Sequence, residues 1–224
     1  MIYPLPAVLV SCGSTPEEYN LLTVAWTGTV CSNPPMCYVS IRPERYSYDI
    51  IKRNGCFVIN LTTKRLARAT DFCGVRSGRN IDKFHEAGLT PGKAEVVNAP
   101  TVQESPVSIE CRVVDVRPLG SHDMFLAEVV NVLVDDQFID ENDKIDMAAM
   151  DLIAYTHGEY FDVNNPKGFF GWSSSSPSAP RSNIQHLNPL KEIGHLQERC
   201  TPHQPQHSSH LRQTEQPVCL PTAN

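Results

Sequence analysis

The chain has 224 residues, 41% hydrophobic and 20% charged, which allows one sizeable hydrophobic core with an appendage. A formal charge of −6 speaks against the basic stripe that nucleic acid or an anionic membrane surface demands, so the expected partners are small molecules or proteins. Eight cysteines form no CxxC pair and no Cys/His cluster at zinc spacing, and several sit in apolar runs as small buried hydrophobes, which predicts no metal site and a reduced, cytoplasmic setting.

In chain order, LPAVLVSCG superficially resembles a lipoprotein cleavage box. No Lys or Arg precedes it, and the apolar run is short and contains Pro6, so it is read as a first strand. LLTVAWTGTVC, MCYVSIRP, CFVINLT, SIECRVVDVRPLG, MFLAEVVNVLVD and IAYTHGEYFDV follow as strands rich in Val, Ile, Tyr and Phe between Gly, Pro, Asn and Asp breaks. Alternation in CRVVDVRPL and FLAEVVNVLVD points to antiparallel strands with one wet face. Three helices interrupt them. SYDIIKRNG takes Ser47 as N-cap and Gly55 past its end, TTKRLARATDFCG closes on Gly74, and NIDKFHEAG closes on Gly88. Residues 1–172 read as the folded domain. From Ser173 to Asn224 the chain turns rich in Ser, Pro, Gln and His, which predicts a disordered tail, and the abrupt change suits a frame-altered end. Five tail histidines have irregular spacing, unlike a structural zinc site. No segment is apolar for long enough to span a membrane.

The chemistry concentrates between Asn20 and Asn60. Pro34-Pro35 forces a rigid connection, after which the amides near Val30, Cys31 and Ser32 either face a ligand or belong to an ordinary hairpin corner. Trp26 is either core or a ligand platform. In RPERYSYDI, Arg42 and Arg45 flank a turn before a helix N-terminus, an arrangement suited to an anion or to surface ion pairs. DFCGVRSGRNIDKF gathers Arg76, Ser77, Gly78, Arg79 and Lys83 without a GxGxxG or P-loop context. His85, His122 and His157 neighbour Asp82, Asp123 and Glu159, yet residues adjacent in a strand point apart, so no dyad is expected. With no nucleophile or proton-shuttling triad, an enzyme built on this chain needs a cofactor to carry the chemistry.

Taken together, NLLTVAW, SNPPM, IRPERYSYDII, FVINL, CGxxSGRxxDKF, SIECRV and HGEY, in this order from Ala7 to Trp172, resemble the flavin reductase-like family of FMN-binding split-barrel proteins, in its flavoredoxin-like branch. The resemblance implies a mainly β fold, a six-stranded antiparallel split β-barrel with a few short helices, working as a homodimer with FMN near the subunit interface. It implies that Trp26, Thr27, Val30, Cys31 and Ser32 lie along the isoalloxazine. Arg45, Tyr46, Ser47, Asn60 and Thr62 would approach the ribityl chain or phosphate, and Ser77, Gly78, Arg79 and Lys83 would close that site. The implied activity passes electrons from NAD(P)H or a redox partner protein through FMN to a flavin, metal ion or protein acceptor. The alternatives are a pure FMN electron carrier and a flavin-free binding module.

Overall fold

The apolar runs become strands because each is bounded by a residue that cannot continue the ladder. The structure, a computed structural model, describes residues 2–164, 166–168 and 172–174. Its elements are β1 (Leu5–Pro6), β2 (Val8–Cys12), β3 (Asn20–Val24), β4 (Thr27–Ser32), β5 (Pro35–Ile41), α1 (Tyr46–Asn54), β6 (Cys56–Asn60), α2 (Ala67–Val75), α3 (Lys83–Glu86), β7 (Pro91–Lys93), β8 (Pro100–Val102), β9 (Val107–Pro118), β10 (Asp123–Val134), β11 (Ile153–Thr156) and β12 (Glu159–Asp162). Seven strands form one curled antiparallel sheet in the order β3-β2-β6-β9-β10-β5-β4, and Ser40 N–H donates to the Trp26 carbonyl at 2.8 Å, carrying the β4–β5 ladder one residue past Thr27. A small sheet, β1-β11-β12, lies beside it, and β7 pairs with β8. The mainly β, split-barrel expectation is met, with one strand more in the curled sheet than the six expected.

The extra strand arises at Trp26. LLTVAWTGTVC reads as one strand, but the ladder breaks at Ala25 and Trp26, and β3 and β4 become the opposite edges of the curled sheet. Every intervening residue is a good strand former, so nothing local announces the break. β1, β7 and β8 are also new; two or three residues long, all containing proline, they carry too little pattern to be read.

Strands β2 and β6 are buried at every position because both faces are covered. Val8, Val10, Phe57 and Ile59 point into the barrel with Val39, Ile41 and Phe125. Leu9 packs outward under Leu66, Cys73 and Phe84 of the helical layer, and Val58 packs under Ala94, Val97 and Ala99. Full burial of each such side chain contributes about 1.5–3 kcal/mol, which makes these two strands the spine of the domain.

α1 ends as its sequence predicts, with Asp49 in the first turn, Lys52 and Arg53 in the last, and Gly55 left-handed at φ 67°. Its start differs. Arg45, extended, occupies the N-cap, whereas Ser47 lies inside the first turn, buried, with its Oγ accepting from Asn20 Nδ2 at 2.7 Å. A hydroxyl engaged across the fold is not available to cap its own helix. α2 likewise runs past Gly74 to Val75, since Arg76 N–H still reaches the Phe72 carbonyl. The predicted tail beyond Ser174, with its five histidines, lies outside the described residues. Among the described residues no helix is long and apolar enough to cross a membrane, and no group of three or more His, Cys, Asp or Glu side chains is placed to hold a metal.

Glu110 of β9 is fully buried, and its carboxylate gathers the amides of Glu95, Val96 and Val97 at 2.7–2.9 Å together with Asn131 Nδ2 at 2.9 Å. Burial pushes its pKa up, but the Glu95 amide, the Asn131 amide group and the remaining backbone donors outweigh it and hold the carboxyl below its ordinary value. The folded state therefore binds the ionised form more tightly than the unfolded chain does, so this contribution is present above the ordinary carboxylate pKa and disappears as pH falls through the lower folded value. Glu110→Gln should cost about 1–3 kcal/mol near neutral pH, in urea unfolding, and the gap to wild type should shrink in acid. A gap independent of pH would remove Glu110 as the ionised clasp.

Candidate functional site

Two clefts open side by side at the seam of the barrel, and Arg42 and Arg45 line both. The first, about 330 Å³, lies at the Ala25–Trp26 break, where Trp26 stands 39% exposed in the wall while its carbonyl still accepts from Ser40 N–H. The His122 imidazole lies nearly parallel to its indole, 6.3 Å between ring centroids and 18° between planes. Tyr155 of β11 and Tyr160 of β12, edge to face at 5.8 Å, form the opposite wall. Such walls accept a flat ring. Burial, then the Arg42 charge with that of Arg45, lowers the His122 pKa, so the imidazole is neutral at neutral pH. Its sequence neighbour Asp123 turns away to accept a hydrogen bond from the Tyr48 hydroxyl of α1, and the two are no dyad.

The second cleft, about 360 Å³, is polar. The N-terminus of α1 lies in its wall with Tyr46 and Ser47, opposite Arg76, Ser77 and Gly78 of the loop after α2, with Asn20 between them. Arg45 Nη1 donates to the Gly74 carbonyl at 3.2 Å, which fixes the side chain without neutralising it. Arg79 stands over the Tyr46 ring at 5.4 Å. Gly78 has to be glycine for packing reasons: a Cβ there would overlap Asn20 Oδ1 and lie 2.9 Å from Tyr46 Cδ1. Glu44, in the same wall, pairs with Arg42 at 3.4 Å, while Arg45 and Arg76 have no carboxylate within ion-pair distance among the described residues, and such guanidinium groups at a helix N-terminus make this an anion site of the phosphate class.

The structure thus brings Arg45, Tyr46, Ser47, Ser77 and Gly78 into one cleft, with Arg79 beside Tyr46, and puts Trp26 in the adjoining one. The other predicted site residues fall elsewhere. Thr27, Val30, Cys31 and Ser32 lie on the edge strand β4 and line neither cleft; Thr27 Oγ1 donates to the Tyr38 carbonyl, and Val30 sits half exposed in a bulge between the Thr29–Cys37 and Cys31–Met36 pairs. Asn60 is fully buried and saturated: Nδ2 donates to Leu9 O and Ser11 Oγ, and Oδ1 accepts from Val102 N and Ser108 Oγ. Thr62 Oγ1 donates to the Ala7 carbonyl. Lys83, 2% exposed, donates from Nζ to the carbonyls of Leu21 and Cys73, just behind the wall made by Leu22, Thr23 and Gly74. Sequence reasoning did not select Asn20, Tyr155 or Tyr160, named Arg76 only as part of the Ser-Gly-Arg loop, and weighed His122 only as a dyad partner of Asp123. His122 and Tyr160 were visible beside predicted strands, in SHD and HGEY, but nothing in the sequence placed either of them next to Trp26.

A family model described as Flavin reductase like domain matches residues 1–163. The chain belongs to this flavin reductase-like family. Flavoredoxin of Desulfovibrio vulgaris (Miyazaki F) is 31% identical, with a TM-score of 0.73 over 78% of this chain and 95% of that one. Flavoredoxin from Methanosarcina acetivorans is 28% identical, with a TM-score of 0.70 over the same shares. An uncharacterized protein of Aeropyrum pernix is 34% identical over 139 residues, 62% of this chain, and the match spans 52% of that relative's length.

Within this flavin reductase-like domain, burial lowers the Lys83 pKa to about 8, partly offset by Cys73. The unfolded chain therefore holds more protons than the folded one between that value and the ordinary lysine pKa, so the Lys83 contribution to stability rises as pH climbs above about 8. The stability difference between wild type and Lys83→Met should widen over that range in denaturant titrations at stepped pH. A difference that narrows would mean that the ammonium is stabilised in place.

Proposed function

We propose that this chain binds FMN and works as an oxidoreductase that passes electrons from NAD(P)H to a flavin, metal ion or protein acceptor. The observation that carries this reading is the junction of the two clefts, an aromatic slot opening onto a guanidinium-lined anion site with Arg42 and Arg45 common to both. The donor set fits a phosphorylated planar cofactor. Arg45, the N-terminus of α1 and the Ser77–Gly78 loop would hold the phosphate, while Trp26, His122, Tyr155 and Tyr160 would border the ring. Bound FMN supplies hydride and electron transfer. The protein's part is to orient the ring, exclude water with its aromatic walls, and keep His122 uncharged beside it. The two flavoredoxin structures, similar over most of the domain, support the assignment.

The working unit in this reading is a homodimer. β10 pairs with β5 only from Asp123 to Glu128, and the run Val129–Val134 beyond it is partly exposed with no strand paired to it on that side among the described residues. An apolar unpaired edge of this kind invites a second copy. Light scattering that returns the 24.9 kDa monomer mass would rule this out.

Mixing holo-protein with NADH or NADPH and following flavin absorbance near about 450 nm tests the activity. Rapid bleaching supports the reductase. Bleaching by dithionite alone makes the protein a carrier reduced by a partner, and a colourless protein that does not quench FMN fluorescence ends both readings. Arg45→Ala should weaken FMN by about 1.5–3 kcal/mol while leaving riboflavin nearly unchanged, because only FMN loses a charge-assisted phosphate contact. Equal losses for the two ligands, measured by fluorescence titration, would displace the phosphate from Arg45.

A further inference from the structure

The anion site carries more positive charge than one phosphate requires. Arg42 and Arg45 line both clefts, Arg76 lines the second, and Arg79 lies over Tyr46 in its wall. Among the described residues, the one carboxylate within ion-pair distance of any of them is Glu44, 3.4 Å from Arg42. Four guanidinium groups against one carboxylate leave a surplus of three positive charges, in a chain whose net charge is −6. A phosphomonoester such as that of FMN carries about 1.5–2 negative charges at neutral pH. At least one guanidinium thus remains without a counter-charge. Arg45 and the α1 N-terminus suffice for the FMN phosphate, and Arg79 lies on the Tyr46 ring, so the surplus in the cleft walls sits on Arg76, with Arg42 beside it sharing its charge with Glu44 and reaching the aromatic slot.

We infer that these residues take a second phosphomonoester, the 2′-phosphate of NADPH, and that the protein selects NADPH over NADH. The inference rests on the FMN oxidoreductase reading. NADH and NADPH share the pyrophosphate and the nicotinamide and differ only in that one group, which a planar guanidinium fork grips through two oxygens. In the reaction NADPH loses a hydride, one proton with two electrons, to FMN and leaves as NADP⁺, while solvent supplies the second proton. Glu44 opposes the added anion, so its charge works against the selectivity that Arg76 and Arg42 create.

The test is stopped-flow reduction of purified holo-protein by NADPH and by NADH, with flavin content measured for wild type, Arg76→Gln and Glu44→Gln. Wild type should prefer NADPH by about tenfold or more in kcat/KM, the size set by one charge-assisted hydrogen bond. Arg76→Gln should lower that preference by about tenfold and Glu44→Gln should raise it, a pair of opposite shifts that a structural disturbance would not produce. 2′,5′-ADP should compete with NADPH far better than 5′-AMP, and added salt should erode the preference. A wild type that favours NADH or treats both alike overturns the inference, as does an Arg76→Gln variant that slows both nucleotides equally, the mark of a pyrophosphate contact. Loss of bound FMN from Arg76→Gln would assign that arginine to the first phosphate and remove the surplus. If the flavin is retained but bleached only by dithionite, the inference falls while FMN binding stands; a colourless protein takes the underlying reading with it.

Discussion

The hydrogen bond between Asn20 and Ser47 is the point on which the site geometry hangs. It joins the first residue of β3 to the first turn of α1, and the missing side chain of Gly78 lets the loop after α2 close over the same spot. Three segments remote in sequence therefore meet at one amide and one hydroxyl. The cost is that Ser47 cannot cap its own helix, and the helix start is left open toward the cleft instead. An N-terminus whose amides were satisfied by a capping side chain would be a poorer anion site.

A second division runs through the polar residues. Asn60, Glu110 and Lys83 are buried and have their hydrogen bonds supplied from within the fold, so they fix strand and loop positions. The arginines around the clefts are held by little beyond a carbonyl, a ring face or one exposed carboxylate. Apart from Arg42, which Glu44 partly offsets, their charge is uncompensated among the described residues, and uncompensated charge in a concave wall is what recognises a ligand.

That division explains what the sequence could and could not reveal. The β-rich pattern, the antiparallel alternation, the left-handed Gly55 and the end of α1 follow from local residue preferences, and all are found. The break at Trp26 does not, because the forces that end β3 there come from the closure of the sheet and not from the residues in the run. Residue type marked the helix start at Arg45 and Ser47 and the Ser77–Gly78 loop as two places that suit an anion, and it was the family resemblance that joined them into one site. Asn60, Thr62 and Lys83 are of the same residue types but spend their donors internally, and only the fold distinguishes a donor already engaged from one still available. The aromatic slot was illegible for a related reason: Trp26, His122, Tyr155 and Tyr160 are more than 130 residues apart at their extremes, and no local pattern links them.

That separation has a thermodynamic consequence. The slot is lined by Ala7, near the start of the chain, and by Tyr155 and Tyr160, carried by the small sheet in which β11 pairs with β1 through only Leu5 and Pro6. A ligand seated there touches the N-terminal segment, the edge strand β3, the end of β5 and the last hairpin at once, and no fragment of the domain reproduces the set. Binding energy is thereby tied to the integrity of the whole sheet: occupancy acts as a clasp between the two ends of the domain, and its stabilisation grows with the logarithm of ligand concentration over Kd. The weakest ladder in the fold is the one best placed to gain from a resident cofactor.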